Sequence, residues 1–132
     1  MFVRPILRAL GLSRQARAGD GWLAQVQPTT MSTDSNQTIT VPAILGGLWV
    51  RSGTNTNRTD TTATAAAILA ALPDMDIGDT YLFMVANTTA NPIVVAGGTN
   101  VTASGNLTVA TLTTKFFLLT KTSATEMTML GM

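Results

Sequence analysis

From Tyr81 to Leu130 the chain is cut into short apolar runs by turn residues at nearly even intervals, and this rhythm limits its possible folds more than any other feature. Five strand candidates follow one another: Tyr81–Asn87, Pro92–Ala96, Asn100–Ala103 with Asn106–Ala110, Thr114–Thr120, and Glu126–Leu130. Between them lie Asn87-Thr88-Thr89-Ala90-Asn91, Gly97-Gly98, Ser104-Gly105 and Lys121-Thr122-Ser123. Short strands spaced in this way predict a mainly β domain, either an antiparallel β-sandwich or a jelly-roll-like barrel.

Upstream, Asp60 to Leu72 is the clear helix of the body. Ala65, Ala66 and Ala67 favour it, Ile68, Leu69 and Leu72 supply an apolar stripe, and Pro73 stops it. Asp60 or Thr61 is the expected cap. Thr38-Ile39-Thr40-Val41 alternates like a strand that ends at Pro42. Leu45–Arg51 is a second apolar run, with Trp49 expected in the core. The expected plan is one short helix, about residues 60–72, in a β-domain spanning 37–132. Residues 1–36 form an extended N-terminal arm.

Charge separates the arm from the body. Arg4, Arg8, Arg14 and Arg17 give the first 19 residues +4 with no acid. Four remaining basic side chains against seven acidic ones leave the rest at −3. Within the arm, Val3, Ile6, Leu7 and Leu10 can share a helical face, and Gly19–Asn36 reads as an extended connection. Met31 is a candidate alternative start. A segment with so little core of its own is expected to take its order from a partner. Arg4, Arg8, Arg14 and Arg17 are therefore the candidate partner contacts, with Trp22 as the interface anchor. The expected partner is a protein: four charges are few for nucleic acid or a membrane surface.

Composition narrows the chemistry. The chain has no cysteine and no histidine. That removes disulfides, thiolate and imidazole ligands, cysteine nucleophiles and serine–histidine triads. Charged residues are only 11% of the chain, against about a quarter in a typical domain. Threonine fills the gap with 24 residues, and suits strands that face water on one side. Asp74, Asp76 and Asp79 lie close together but lack the length and terminal glutamate of a calcium loop, so they read as a turn. Asp34 or Asp60 with Glu126 is the remaining conceivable carboxylate pair, and nothing in the sequence brings these residues together. Gly46-Gly47 and Gly97-Gly98 fit no phosphate-binding pattern and read as turns or bulges. Five N-x-[ST] sites, at Asn36, Asn57, Asn87, Asn100 and Asn106, are expected by chance in a threonine-rich chain. No segment has 18 consecutive apolar residues, and the N-terminal arginines interrupt any signal-like core. Met127, Met129 and Met132 are expected on one face of the last strand. The chain is expected to be no enzyme and to need no cofactor, metal or small-molecule substrate.

Residues 59–132 carry a further pattern. A threonine- and alanine-rich helix leads into Pro73-Asp74-Met75-Asp76-Ile77-Gly78-Asp79-Thr80-Tyr81. A strand with an Asn87-Thr88 turn follows, then Ala96-Gly97-Gly98-Thr99-Asn100-Val101-Thr102, a threonine-rich strand, and the Thr122-Ser123-Ala124-Thr125 hairpin. This order resembles small β-rich structural domains of tailed bacteriophages, among them capsid decoration (cement) proteins. The resemblance implies a virion component on the capsid surface, homotrimeric and partnered with the major capsid protein. It implies no catalytic residue. The alternative it leaves is the receptor- or glycan-binding head of a tail fibre or spike, although seven aromatic residues are few for a glycan cleft.

Overall fold

Threonine and β-branched residues dominate the strands, and alanine and leucine the helices, of a computed structural model that describes residues 26–132. The described chain is mainly β. In order it forms β1 (Thr29–Met31), β2 (Gln37–Ile39), α1 (Val41–Gly46), β3 (Leu48–Arg51), β4 (Arg58–Thr62) and α2 (Ala65–Ala71). There follow β5 (Thr80–Asn87), β6 (Ile93–Ala96), β7 (Val101–Gly105), β8 (Thr108–Val109), β9 (Thr113–Lys121) and β10 (Met127–Gly131). Two sheets result, a six-stranded one in the order β1-β3-β5-β9-β10-β7 and a four-stranded one in the order β2-β4-β6-β8.

The sheets form a sandwich, as expected, but they are mixed rather than antiparallel. From β1 to β9 successive strands alternate between the two sheets. From β1 to β6 each strand therefore meets its next sheet neighbour only after two crossings, and there two reversals restore its direction. β1–β3, β3–β5, β2–β4 and β4–β6 are parallel for this reason. β7–β10 is parallel as well. Antiparallel pairing is confined to β5–β9, β9–β10 and β6–β8. Turn signals show where a strand stops, and they do not show which sheet the next one enters.

There are two helices among the described residues, not one. Pro42 does not close a strand; it occupies the first turn of α1, where a missing N–H costs nothing. Thr40 caps that helix by accepting from the Ala43 N–H at 3.4 Å. Gly47, at φ 88°, ends it in a left-handed conformation open to glycine. α2 is shorter than residues 60–72: its cap is Thr64, which accepts from the Ala67 N–H at 3.2 Å, and Asp60 belongs to β4. Residues 29–36, assigned to the arm by sequence, join the body, with β1 on an edge of the six-stranded sheet. The Gln27 N–H also donates to the Gly46 carbonyl at 2.8 Å.

One apolar core lies between the sheets. The larger sheet contributes Trp49, Phe83, Phe117, Met127 and Met129, and the smaller Ile39, Ile93, Val95 and Val109. Phe83 and Phe117 stack with ring centroids 5.5 Å apart. Ile44, Ile68 and Leu72 pack the helices against this cluster. Trp49 is buried as expected, and Met127 and Met129 share the core face. Met132 does not join them: three residues from Met129, it is out of phase with the strand alternation and is exposed.

Candidate functional site

Most of the buried polar side chains gather in two clusters. β3 turns Trp49 and Arg51 inward, and β4 turns Asp60 inward to meet them. Arg51 Nε lies 2.7 Å from Asp60 Oδ2, and both side chains are fully buried. This is an ion contact without a directed hydrogen bond from that nitrogen. Trp49 Nε1 donates to the same oxygen at 2.9 Å, and the Gln37 N–H donates to Oδ1 at 3.2 Å. The far end of the guanidinium donates to the carbonyls of Met31, Thr33 and Ser35. Both carboxylate oxygens are engaged and the ion pair has no solvent face. Its geometry suits holding strands and loop together rather than proton transfer to a bound molecule.

A second polar knot closes a loop cluster beside β5. Asn87 Nδ2 donates to the carbonyls of Asn91, Val109 and Ala110 at 2.7, 3.2 and 3.3 Å. Its Oδ1 accepts from the Thr89 N–H at 2.9 Å and the Thr89 hydroxyl at 2.8 Å. Thr54 Oγ1 and Asn91 Nδ2 extend the knot. Asn87 is buried, so this N-x-[ST] site presents no amide for glycosylation.

The carboxylates weighed in the sequence are not brought together. Asp60 is committed to Arg51. Asp34 accepts from the Asn55 N–H at 3.1 Å and from Arg58 Nε at 2.9 Å. Those donors, the Asn55 N–H first, hold its carboxyl below the usual carboxylate range. Glu126 sits in the β9–β10 turn near Ser123. Asp76 and Asp79 bond to each other's backbone, the Asp76 N–H donating to Asp79 Oδ2 at 2.9 Å, as a turn requires. Among the described residues no group of three or more acidic side chains is placed to hold a metal ion. Arg4, Arg8, Arg14, Arg17 and Trp22 lie outside the described residues.

The surface feature that sequence reasoning missed is the outer face of the six-stranded sheet. β5 sends Tyr81, Phe83 and Val85 inward and leaves Leu82, Met84 and Ala86 outward. β9 sends Phe117 and Leu119 inward and leaves Phe116 and Leu118 outward. Register aligns Leu48, Met84 and Phe116 in one row across β3, β5 and β9. It aligns Leu82, Leu118 and Leu130 in another across β5, β9 and β10. Leu82, Phe116 and Leu130 are 47%, 44% and 43% exposed, high for side chains of this size on regular strands. The signal was present in the sequence: Tyr81–Val85 and Phe116–Leu119 are apolar at every position, whereas a strand with one wet face alternates.

No protein-family model, no curated protein and no solved structure matches this chain. No helix among the described residues is long and apolar enough to cross a membrane.

Proposed function

We propose that this chain is a virion structural protein of the capsid-decoration type. It binds the assembled shell through the arginine-bearing N-terminal segment and a homotrimeric β-domain, with the major capsid protein as its partner. The observation that carries the reading is the apolar outer face of the six-stranded sheet, on a body whose buried ion pair and amide knot are spent on holding the fold. Such a surface is suited to burying area against flat neighbours. The helix–turn–strand order of residues 59–132, with its resemblance to phage structural domains, supports the same reading. A ligand that binds only the assembled shell stabilises it by mass action, so no chemical step is required of it.

The test is to mix the full chain with expanded capsids, sediment them and record the capsid's thermal transition. The expected result is co-sedimentation in many copies per particle and a raised transition, both lost when residues 1–30 are deleted. A chain that stays in the supernatant overturns the proposal. Copies found only at the tail of intact particles point to the fibre-head alternative.

A further inference from the structure

The outward positions of the six-stranded sheet carry no ionisable side chain on any of its strands. The charged residues of those strands, Arg51, Lys115 and Lys121, all have the inward parity. Each donates to backbone carbonyls: Lys115 Nζ to Asn106 at 3.2 Å, Lys121 Nζ to Met75 at 2.8 Å, and Arg51 to the loop after β1. The outward face is left with leucine, methionine and phenylalanine at its centre and threonine or serine toward its ends. The four-stranded sheet of the same molecule is the internal control. Its outward positions include Thr38, Thr59, Thr61 and Thr108, and Val94 is the one large exposed apolar side chain among them. A low-charge chain can thus coat a sheet with threonine, and at the centre of the larger sheet it does not.

We infer that the outer face of the six-stranded sheet is the surface through which copies of this chain associate with one another. Where the face meets the same face of a second copy, as in a two-fold pair, any charge near the axis would meet its own kind. A face without charge meets its copy and strands no ion. The strands run from 3 residues in β1 to 9 in β9, and at about 3.3 Å per residue and 4.8 Å between strands the whole sheet face is roughly 540 Å² in projection. Side-chain relief adds to this, bringing it near the ~800 Å² per partner of a stable interface. The apolar centre and hydroxyl rim match the anatomy of such interfaces. This inference rests on the self-association in the proposed function, without its three-fold symmetry, and does not require capsid binding.

The test uses the isolated full chain, without capsids. Light scattering at micromolar concentration is expected to give an integer multiple, two or more, of the 13.8 kDa chain mass. The multiple should be insensitive to salt, because no charge is shared across the contact. Leu82→Lys with Phe116→Asp should return the single-chain mass with an unchanged circular dichroism spectrum, and Thr61→Lys should leave the assembly intact. A second measurement covers the case in which the double variant misfolds. The chain has no native cysteine, so Leu82→Cys and Thr61→Cys each take one spin label. Strong dipolar coupling between copies is expected at Leu82→Cys and weak coupling at Thr61→Cys. A single-chain mass for the unaltered protein, or the reverse order of couplings, overturns the inference. So does an assembly that survives Leu82→Lys with Phe116→Asp but is lost on deleting residues 1–25. Capsid binding by a chain that is monomeric in solution sinks this inference alone, whereas self-association without capsid binding sinks only the capsid reading.

Discussion

Residues 26–62 and residues 80–131 fill opposite roles in one sandwich and are held by different means. The later region has a tight hairpin, β9–β10, whose short connection fixes register from the turn outward. Apart from the Asn87 knot its interior is apolar, with Phe83, Phe117, Met127 and Met129 in one cluster. The earlier region has no hairpin; its strands pair in parallel after passing through the opposite sheet. A turn cannot set that register, and polar side chains do so instead. Asp60 accepts from the Gln37 N–H, the residue opposite it in the β2–β4 register. Arg51 gathers the carbonyls of the loop that carries β1 toward β2. In this molecule the buried ion pair takes the place that turn geometry has in a hairpin.

The sharpest way to break that comparison is to truncate one anchor in each region. Asp60→Ala leaves the Arg51 charge buried without its counter-ion and the Trp49 indole N–H without an acceptor, and should cost about 3–5 kcal/mol. Phe117→Ala should cost a similar ~3–5 kcal/mol through the cavity it leaves. Urea melts measure both, and conservative variants separate the causes. Phe117→Leu should recover most of the loss because volume is what matters there. Asp60→Asn should recover little, because a neutral amide does not balance a guanidinium. Arg51→Met combined with Asp60→Leu should be less damaging than Asp60→Ala alone, since no buried charge is then left unpaired. A cost below about 1 kcal/mol for Asp60→Ala would remove the ion pair from its organising role.

Asn87 tests the junction between the regions, because its knot ties β5 to Thr54 of the earlier region and to Val109 of β8. Asn87→Ala leaves the Thr89 N–H without its acceptor and takes one donor from each of three carbonyls, of which Asn91 and Ala110 keep a threonine hydroxyl, with an expected loss of about 1–3 kcal/mol. The damage should be local. Hydrogen exchange should accelerate at the Thr89 and Asn91 amides and stay unchanged in β10. Uniform acceleration would mean that the knot belongs to the global fold and that the division into two regions is wrong at this point.

The same division governs what could be read from sequence. The strands of residues 80–131 fall within a residue or two of their expected places, because alternation and turn residues are local signals. Trp49 in the core and the turn at Asp74–Asp79 were legible for the same reason. The earlier region was misread wherever a residue type has two uses. Threonine caps helices at Thr40 and Thr64 but builds a strand at Thr61 and Thr62, and only tertiary pairing decides between them. Asp60 ahead of an alanine run looks like a cap, and its true partner is nine positions back on another sheet. The parallel pairing left no trace in any short window. The apolar outer face was visible as unbroken apolar runs, yet with strands of unknown partner such runs read equally well as core.

The smallest expected effect is at Asp34, the surface counterpart of the buried pair. Its Oδ1 takes hydrogen bonds from Asn55 N–H and Arg58 Nε, and Arg58 Nη2 lies 2.9 Å away. These contacts lower its pKa in the folded state, so folding favours the ionised form. The stabilisation is therefore complete above the unfolded carboxylate pKa of about 4 and fades as pH falls through the lower folded value. Both side chains are partly exposed, so solvent and salt screen the pair and the effect is modest. Melting temperatures of the wild type and Asp34→Asn should differ slightly at pH 6 in favour of the wild type and converge as pH falls through the lowered folded value. Added salt should narrow the gap at pH 6. A gap constant from pH 6 to 2.5 would mean that Asp34 acts through hydrogen bonds an amide oxygen supplies less well, with charge playing no part.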